Sequence, residues 1–273
     1  MNPTFNIVDL QQKARSIRRD IVTMIAAANS GHPGGSLSSV EILVSLYYHT
    51  MRHNPANPAW EDRDRFILSK GHAAPVLYAT LAESGYFPTS ELNTLRQLGS
   101  RLQGHTERNR VPGIEMSAGS LGQGLSFSIG CALAARLTHQ DYRVYTLMGD
   151  GECEEGQVWE AAMAATHFRA DNLCAIVDRN GLQIDGWTRD VMNVEPFADK
   201  WRAFGWNVLD VNGHDFEEII DAFEHARNAK QKPTVIIART VKGKGVSFME
   251  NNVDFHGKPP SATQLEQALK ELA

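Results

Sequence analysis

An apolar run, YRVYTLM (142–148), ends in an acidic turn that contains glycine. The turn is Gly149-Asp150-Gly151, and Glu152, Glu154 and Glu155 follow it before a helical pattern begins. Glycines between a strand and a helix usually let the backbone approach a phosphate group. Carboxylates repel a bare phosphate, so a divalent cation is needed between the two. The acid would bind the cation, and the cation would bind the phosphate.

A second strand end carries similar chemistry. The run LCAIVD (173–178) is followed by Arg179-Asn180-Gly181-Leu182. If the two strands are parallel neighbours, their carboxyl ends meet at one edge of the sheet, and Asp150 and Asn180 face one crevice. A carboxylate, an amide oxygen and a backbone carbonyl form a set suited to Mg²⁺ or Ca²⁺. The alternative is that Asp150 only satisfies its turn, while Glu154 and Glu155 favour a helix N-terminus.

Other phosphate motifs fit less well. The chain has no GxxxxGK[ST] string, which excludes a P-loop. The spacing Gly149-x-Gly151-x4-Gly156 also differs from the GxGxxG pattern of dinucleotide-binding proteins. A metal-bridged phosphate site is therefore the better prediction for the acidic turn.

Five of the ten histidines adjoin a glycine, in SGHPGG, SKGHAAP, QGHTE, NGHDF and FHGKPP. A single histidine in a loop is usually just solvated. Imidazole can also donate to phosphate, bind hydroxyl groups and move protons near neutral pH. His214 is the exception among the five, because Asp215 after it is a plausible N-cap for FEEIIDAFEHA. We expect the other four, His32, His72, His105 and His256, to act together beside the crevice.

The pattern of apolar runs predicts an α/β fold with a mostly parallel sheet flanked by helices on both faces. Strands are expected at 65–69, 143–148, 173–178, 206–211 and 234–240, and helices at 8–28, 39–51, 73–85, 157–168, 196–204 and 215–229. Another helix should open at Ser90-Glu91-Leu92, and the segment LSFSIGCALAARL (125–137) is too uniformly apolar for a surface helix. No internal linker is visible, so residues 1–273 are expected to form a single domain with N-terminal helices and a C-terminal helix.

Composition excludes several classes of function. The 273 residues carry a net charge of −5, which gives no electrostatic case for binding nucleic acid or an anionic membrane. Three widely spaced cysteines argue against a disulfide framework and fit a reducing compartment. The N-terminal segment has no basic region followed by an apolar one, so no export signal is visible. These features together predict a cytoplasmic protein.

The motifs resemble those of one enzyme superfamily. GDG, an intervening crossover and then Asn180 resemble the diphosphate-binding motif of thiamine-diphosphate enzymes, and GDGECEEGQVWEAAMAA resembles transketolase in particular. The resemblance implies the thiamine-diphosphate-binding fold, with thiamine diphosphate and Mg²⁺ as cofactors (Ca²⁺ or Mn²⁺ could substitute). It assigns the metal to Asp150, Asn180 and the backbone carbonyl of Leu182. The residues that it assigns to the cofactor are His72, Gly119, Ser120, Leu121, Gly149, Asp150, Gly151, Glu152, Asn180, Leu182 and His256.

The resemblance also implies the reaction. Transketolases move a two-carbon ketol unit from a ketose phosphate to an aldose phosphate. His32, His72, His105 and His256 match the histidines that bind substrate or cofactor in that family, and Glu155 fits its interface glutamate, with Glu152 and Glu154 as competitors. Ser120 stands where many members have proline. Lys242 and Lys244, in KGKGVSFMENN, depart from most single-chain members and resemble split transketolases and deoxyxylulose-phosphate synthase.

No second domain follows Ala273 in this sequence. In transketolases that domain binds the aminopyrimidine ring and supplies the glutamate that activates the cofactor. The chain therefore resembles the N-terminal, diphosphate-binding subunit of a split transketolase, with the pyrimidine-binding domain absent. The expected partner is a C-terminal transketolase subunit, in an α2β2 assembly, with sugar phosphates as substrates.

Three alternatives remain open from the sequence. The first is a subunit of another thiamine-diphosphate enzyme, such as a 2-oxo acid dehydrogenase α subunit or a deoxyxylulose-phosphate synthase. The second is a nicotinamide-binding Rossmann protein, which would bind its cofactor without a divalent metal. The third is a non-catalytic protein that retains the fold, in which replacing His32 or Asp150 would leave function unchanged.

Overall fold

A five-stranded parallel sheet forms the centre of the chain in a computed structural model, which describes residues 6–273. The strands in chain order are β1 (Arg65–Leu68), β2 (Val144–Gly149), β3 (Leu173–Arg179), the short β4 (Leu182–Gln183) and β5 (Gly186–Trp187), β6 (Asn207–Asn212) and β7 (Thr234–Arg239). The sheet has the order β1-β2-β3-β7-β6, and β4 and β5 form a separate antiparallel hairpin. The prediction of a mostly parallel α/β sheet is confirmed.

Helices cover both faces of this sheet. They are α1 (Ile7–Ala28), α2 (Pro33–Leu37), α3 (Val40–Ser45), α4 (Ala74–Glu83), α5 (Gln123–Leu137), α6 (Gly156–His167), α7 (Thr188–Val191), α8 (Phe197–Ala203), α9 (Phe216–Asn228) and α10 (Ala262–Glu271). None of the helices within residues 6–273 is long and apolar enough to cross a membrane.

Alternate residues of the buried strands enter two separate cores, because successive side chains of a strand point to opposite faces. Tyr145 and Leu147 pack with α1, α3, α4 and α9 on one face, whereas Val144 and Met148 pack with α5, α6 and α8 on the other. A sheet that is buried on both faces has continuous apolar strands, which is the pattern in the sequence. The two layers hold the carboxyl ends of β2 and β3 rigidly at one edge.

Four local expectations differ from the structure. The predicted helix at 39–51 is a short helix, α3, followed by a π-helical turn, Leu46–Thr50. The segment that starts near Ser90 forms only a 3₁₀ helix, Thr89–Thr94. Helix α5 lies at the surface, since Leu137 is 81% exposed, although its sequence is apolar all round. The β4–β5 hairpin was not predicted, because its two-residue strands are too short to give a periodic pattern.

Candidate functional site

A cavity of about 380 Å³ opens at the carboxyl edge of β2 and β3. The sequence-predicted site residues that line it are His32, His72, His105, Gly119, Leu121, Gly149, Asp150, Gly151, Glu152, Glu155, Asn180, Leu182 and His256. Ser120 is the one predicted residue outside this lining, and its side chain is exposed. Segments far apart in the chain thus meet in one place, as expected for strand ends of a parallel sheet.

The acidic turn and the loop after β3 are joined directly. Asp150 is 3% exposed, and its carboxylate accepts hydrogen bonds from the backbone N–H of Gly181 at 2.6 Å and of Gly151 at 2.9 Å. Gly181 has a φ of +75°, a conformation that glycine adopts without strain. Asn180 turns its amide oxygen towards the N–H of Leu182, at 3.1 Å. Asp150, Asn180 and Leu182 therefore lie within one hydrogen-bonded turn.

The electrostatics of Asp150 fit a neighbouring cation. Burial and the nearby Asp178 raise the pKa of Asp150 to about 6, although two backbone N–H groups and Lys242 act in the opposite direction. A carboxylate that is this unfavourable in its ionised form gains more from a bound cation than an exposed one does. Within residues 6–273, no three His, Cys, Asp or Glu side chains group closely enough to hold a metal ion. A cation here would depend on amide and carbonyl oxygens beside a single carboxylate.

Lys242 supplies a second positive charge inside the cavity. The side chain is 2% exposed, and its ammonium donates a hydrogen bond to the backbone carbonyl of Leu182 at 3.0 Å. Burial and the neighbouring Lys70 lower the pKa of Lys242 to about 8. Lys244 instead lies beside Glu250, with 3.3 Å between the charged atoms. The sequence left the two lysines equivalent, whereas the structure brings only Lys242 to the site.

Asp178, which the sequence pattern did not single out, orients Asn180. Its carboxylate is fully buried and accepts a hydrogen bond from the Asn180 amide at 3.0 Å, so the amide oxygen points the other way. The same carboxylate forms an ion pair with the buried ammonium of Lys70. Ser38, Ser39 and Thr240 donate further hydrogen bonds to it. Lys70 lies 108 positions from Asp178, so no local pattern could have revealed the pair.

Glu152 serves the architecture of the site. One carboxylate oxygen accepts from the N–H of Gly149 at 2.9 Å, and the other accepts from the N–H of Gly122 at 2.9 Å and from the hydroxyl of Ser69. Three separate loops are thereby joined at one buried carboxylate. A direct contact of Glu152 with a cofactor, which the resemblance implied, stays a prediction.

The four glycine-flanked histidines form one cluster. The ring centroid of His32 lies 5.4 Å from that of His72, 5.8 Å from that of His105 and 5.6 Å from that of His256. His72 and His256 are stacked at 5.2 Å. His214 lies elsewhere: its ring faces Glu41, and Asp215 after it caps α9 through the N–H groups of residues 217 and 218, as expected.

These histidines are neutral at physiological pH. Burial, followed by Arg96, lowers the pKa of His32 to about 4, and burial, followed by Lys242, lowers that of His256 to about 3. Burial likewise lowers the pKa of His72 and His105. A neutral imidazole has one donor and one acceptor nitrogen, which suits it to bind hydroxyl groups and relay protons.

Arg96 is a further residue that sequence reasoning missed. Its guanidinium donates to Nδ1 of His32 at 3.4 Å and to the hydroxyl of Ser30 at 2.8 Å. Because Nδ1 of His32 accepts, its Nε2 carries the proton. On the stacked partner side, Nδ1 of His256 is buried and has no hydrogen-bond partner among the residues that the structure describes. The cluster thus offers both a donor and an acceptor.

The glutamates of the acidic turn have separate positions. Glu154 accepts a hydrogen bond from Gln183 at 3.4 Å, and burial raises its pKa. Glu155 lies at the start of α6 with an exposed side chain, and it lines the cavity. Its position agrees with a role at an interface between subunits, which stays a prediction.

Comparison with known proteins identifies the family. The family model described as "Transketolase, thiamine diphosphate binding domain" matches residues 10–273. The chain is 46% identical to the 6-deoxy-6-sulfo-D-fructose transketolase subunit SqwG of Clostridium sp. (strain MSTE9), over 97% of this chain and 96% of that one. It is 44% identical to a separately encoded subunit of the apulose-4-phosphate transketolase of Phocaeicola vulgatus, over 97% and 94%.

Solved structures agree with these relatives. A transketolase from Campylobacter jejuni superposes with a TM-score of 0.93 at 38% identity, covering 98% of this chain and 43% of that chain. The chain spans almost the whole of the separately encoded subunits but less than half of this longer transketolase. The parallel sheet, the acidic glycine turn and the histidine cluster therefore belong to a member of the transketolase family, and the chain is the N-terminal, thiamine diphosphate binding type of transketolase subunit.

Proposed function

We propose that this subunit, together with a C-terminal subunit, transfers a two-carbon ketol unit from an anionic ketose to an aldose phosphate with thiamine diphosphate and Mg²⁺. One observation carries the proposal. A cluster of four neutral histidines and an electrostatically unfavourable carboxylate, Asp150, share a single cavity at the strand ends. The histidines suit sugar hydroxyls, and the carboxylate suits a metal that binds a diphosphate.

The residues that would hold the metal are Asp150, Asn180 and the carbonyl of Leu182, which are oxygen donors of the kind Mg²⁺ prefers. Ca²⁺ or Mn²⁺ would substitute. The glycines at 149 and 151 leave room for a diphosphate at this turn, and Lys242 adds positive charge. Contacts from Gly119, Ser120 and Leu121 would come from the loop before α5. When bound, the thiazolium ring of the cofactor supplies the nucleophilic carbon for ketol transfer.

The chain's own histidines would bind and orient the sugar. With its proton on Nε2, His32 can donate to a hydroxyl or carbonyl oxygen. His256 has an accepting or donating Nδ1 that is not engaged by the described part of the protein. His72 and His105 complete the cluster around His32. Protons would move among these rings without any of them being charged at rest, because their pKa values lie below 6.5.

The proposed partner carries the pyrimidine-binding domain and the activating glutamate. Apolar side chains are exposed on the β4–β5 hairpin and α7, next to the cavity that Ile184 also lines: Ile184, Trp187, Val191 and Met192. Exposed apolar groups beside a polar cavity are typical of a surface that a second protein covers. Glu155, at the mouth of the cavity, would contact the partner or the symmetry-related copy. We propose an α2β2 assembly.

The relatives suggest the substrate class. One is named for a sulfonated fructose and another for apulose 4-phosphate, so sugars with an anionic tail are the best candidates here. The subunit would then serve either the pentose phosphate route or a specialised sugar pathway. We place it in the cytoplasm, in keeping with three free cysteines.

Titration calorimetry tests this proposal. Thiamine diphosphate is added with and without Mg²⁺, first to this chain and then to the mixture with the C-terminal subunit. We expect weak binding to the chain alone, tight Mg²⁺-dependent binding to the mixture, and ketol transfer only in the mixture.

Asp150→Ala should abolish the Mg²⁺ dependence, whereas Asp210→Asn, on the exposed Asp210–Arg239 pair, should not. Unchanged Mg²⁺-dependent affinity in Asp150→Ala would show that the metal assignment is wrong. Full ketol transfer by the isolated chain would refute the need for a partner. Binding of a nicotinamide cofactor without metal would favour the Rossmann alternative.

A further inference from the structure

A buried ionic network lies outside the candidate site. Arg18 of α1 and Glu41 of α3 are 6% and 7% exposed, and one guanidinium nitrogen of Arg18 lies 2.6 and 2.8 Å from the two carboxylate oxygens. His214, after β6, places its Nδ1 2.9 Å from the same carboxylate. Burial acts to raise the pKa of Glu41, but Arg18 and His214 outweigh it and hold that pKa below its ordinary value. The carboxylate is therefore charged and satisfied from two directions.

Both partners of Glu41 also grip one segment, residues 241–245, which we call the Lys242 loop. The N–H of Val241 donates to Nε2 of His214 at 2.8 Å. The side chain of Arg18 donates through Nε to the carbonyl of Lys244 at 3.0 Å. One carboxylate thus orients two groups that hold the loop on either side of Lys242.

The hydrogen bonds also fix the state of His214. Because Nε2 accepts from a backbone N–H, the ring proton is on Nδ1 and is donated to Glu41. Loss of the Glu41 charge would remove the partner of that proton and would leave Arg18 as a buried cation without its carboxylate. Either change loosens the grip on the Lys242 loop.

The loop is packed too closely to find its position by side-chain adjustment alone. Gly245 has a φ of +94°, and a Cβ atom there would lie 3.0 Å from the side chain of Arg18. The N–H of Gly243 donates to the carbonyl of Gly34 at 3.0 Å, beside the start of the segment that carries the cluster histidine His32. The backbone on both sides of Lys242 is therefore held against α1 and α2.

We propose that Arg18, Glu41 and His214 are positioning residues for Lys242: they fix the Lys242 loop so that the buried ammonium is aimed at the carbonyl of Leu182 inside the cavity. None of the three lines that cavity. The inference rests on the proposed function only for what Lys242 does there, namely to add positive charge beside a diphosphate. The mechanical part stands on the contacts of the loop alone.

Hydrogen exchange of the full chain tests the mechanical part. In Glu41→Gln, the amide of Val241 and the rest of the Lys242 loop should exchange roughly tenfold faster, with β2 and β3 unchanged. Glu83→Gln is the matched control, because Glu83 also binds α1, through Lys13 at 2.8 Å and Ser16 at 3.0 Å, without contacting the loop. If Glu41→Gln folds poorly, His214→Leu keeps the Arg18–Glu41 pair and should release Val241 in the same way. Unchanged loop exchange in these variants overturns the inference.

Cofactor binding tests whether the network acts through Lys242. The affinity of the mixture with the C-terminal subunit for thiamine diphosphate and Mg²⁺ should fall roughly tenfold in Glu41→Gln, as for other residues that act through a neighbour. In a double-mutant cycle, Glu41→Gln should have no further effect once Lys242 is methionine. A purely structural role of Glu41 predicts additive losses, and additivity would overturn the inference. A silent Lys242→Met would instead refute the binding role given to Lys242 under the proposed function, and loop exchange alone would then decide.

Discussion

The Lys70–Asp178 ion pair gives the sharpest prediction about stability. Asp178 is fully buried and Lys70 is 1% exposed. Burial acts to raise the pKa of Asp178, but Lys70 and the hydroxyl donors outweigh it and hold that pKa below its ordinary value. Removing one partner of such a pair typically costs about 3 to 5 kcal/mol, because the other charge stays buried without compensation.

The contacts make the two single losses unequal. In Lys70→Met, Asp178 keeps four donors: Ser38, Ser39, Thr240 and Asn180. In Asp178→Asn, the ammonium keeps only the carbonyl of Gly35, at 2.8 Å, and a new amide donor faces groups that already donate. We therefore expect about 3 kcal/mol of destabilisation for Lys70→Met and about 5 kcal/mol for Asp178→Asn. The double variant should be more stable than the sum of the two losses implies, by about 2 to 3 kcal/mol.

Urea unfolding of the cofactor-free chain, followed by tryptophan fluorescence and far-UV circular dichroism, measures these free energies. Since the pKa of Asp178 is lowered by folding, its stabilising contribution should be present at pH 7 and should decline as the pH falls below 3.8. A double variant whose loss equals the sum within about 0.5 kcal/mol would show that the two charges are not coupled. A costlier loss in Lys70→Met than in Asp178→Asn would refute the reasoning from the remaining donors.

Three further variants test other parts of the structure. Burial, followed by Glu83, raises the pKa of Asp20 to about 6, so its ionisation destabilises the folded chain as the pH rises from 3.8 to 6. Asp20→Asn should therefore be more stable than the wild type at pH 7 by about 1 to 2 kcal/mol after allowance for solvent screening, with the difference vanishing below about pH 4; thermal unfolding at both pH values checks this. Arg96→Leu should raise the pKa of His32, which a histidine NMR titration measures, and an unchanged pKa would mean that burial alone sets it. Trp201→Ala empties a fully buried site among three aromatic rings and should cost about 3 to 5 kcal/mol in urea unfolding, whereas a loss below about 1 kcal/mol would contradict the packing described.

Much of the fold could be predicted from the sequence because its signals are local. Each buried strand is a continuous apolar run, and each strand of the main sheet lies within two residues of its predicted bounds. The π-helical turn after α3 and the exposed face of α5 could not be predicted in the same way. They depend on which neighbours cover a helix, and apolar composition does not record that.

The site divides along the same line. Asp150 and Asn180 were found because each follows a strand, and the four cluster histidines because each adjoins a glycine in a loop. Arg96, Lys70 and Asp178 were missed because their partners are 64 and 108 positions away, and ordinary polar residues carry no mark of such contacts. Lys242 was noticed, but only packing distinguishes it from Lys244.

The parallel register of β2 and β3 has a consequence for how this protein can change during evolution. Gly149 pairs with Asp178, so Asp150 and Asn180 are measured from the same rung of the sheet. One inserted or deleted residue in either strand would shift its end by about 3.3 Å. That step exceeds the 2.6 Å between Asp150 and the N–H of Gly181. The lengths of these two strands are thus fixed by chemistry, while the hairpin and the surface loops can lengthen or shorten freely to suit a new partner or sugar.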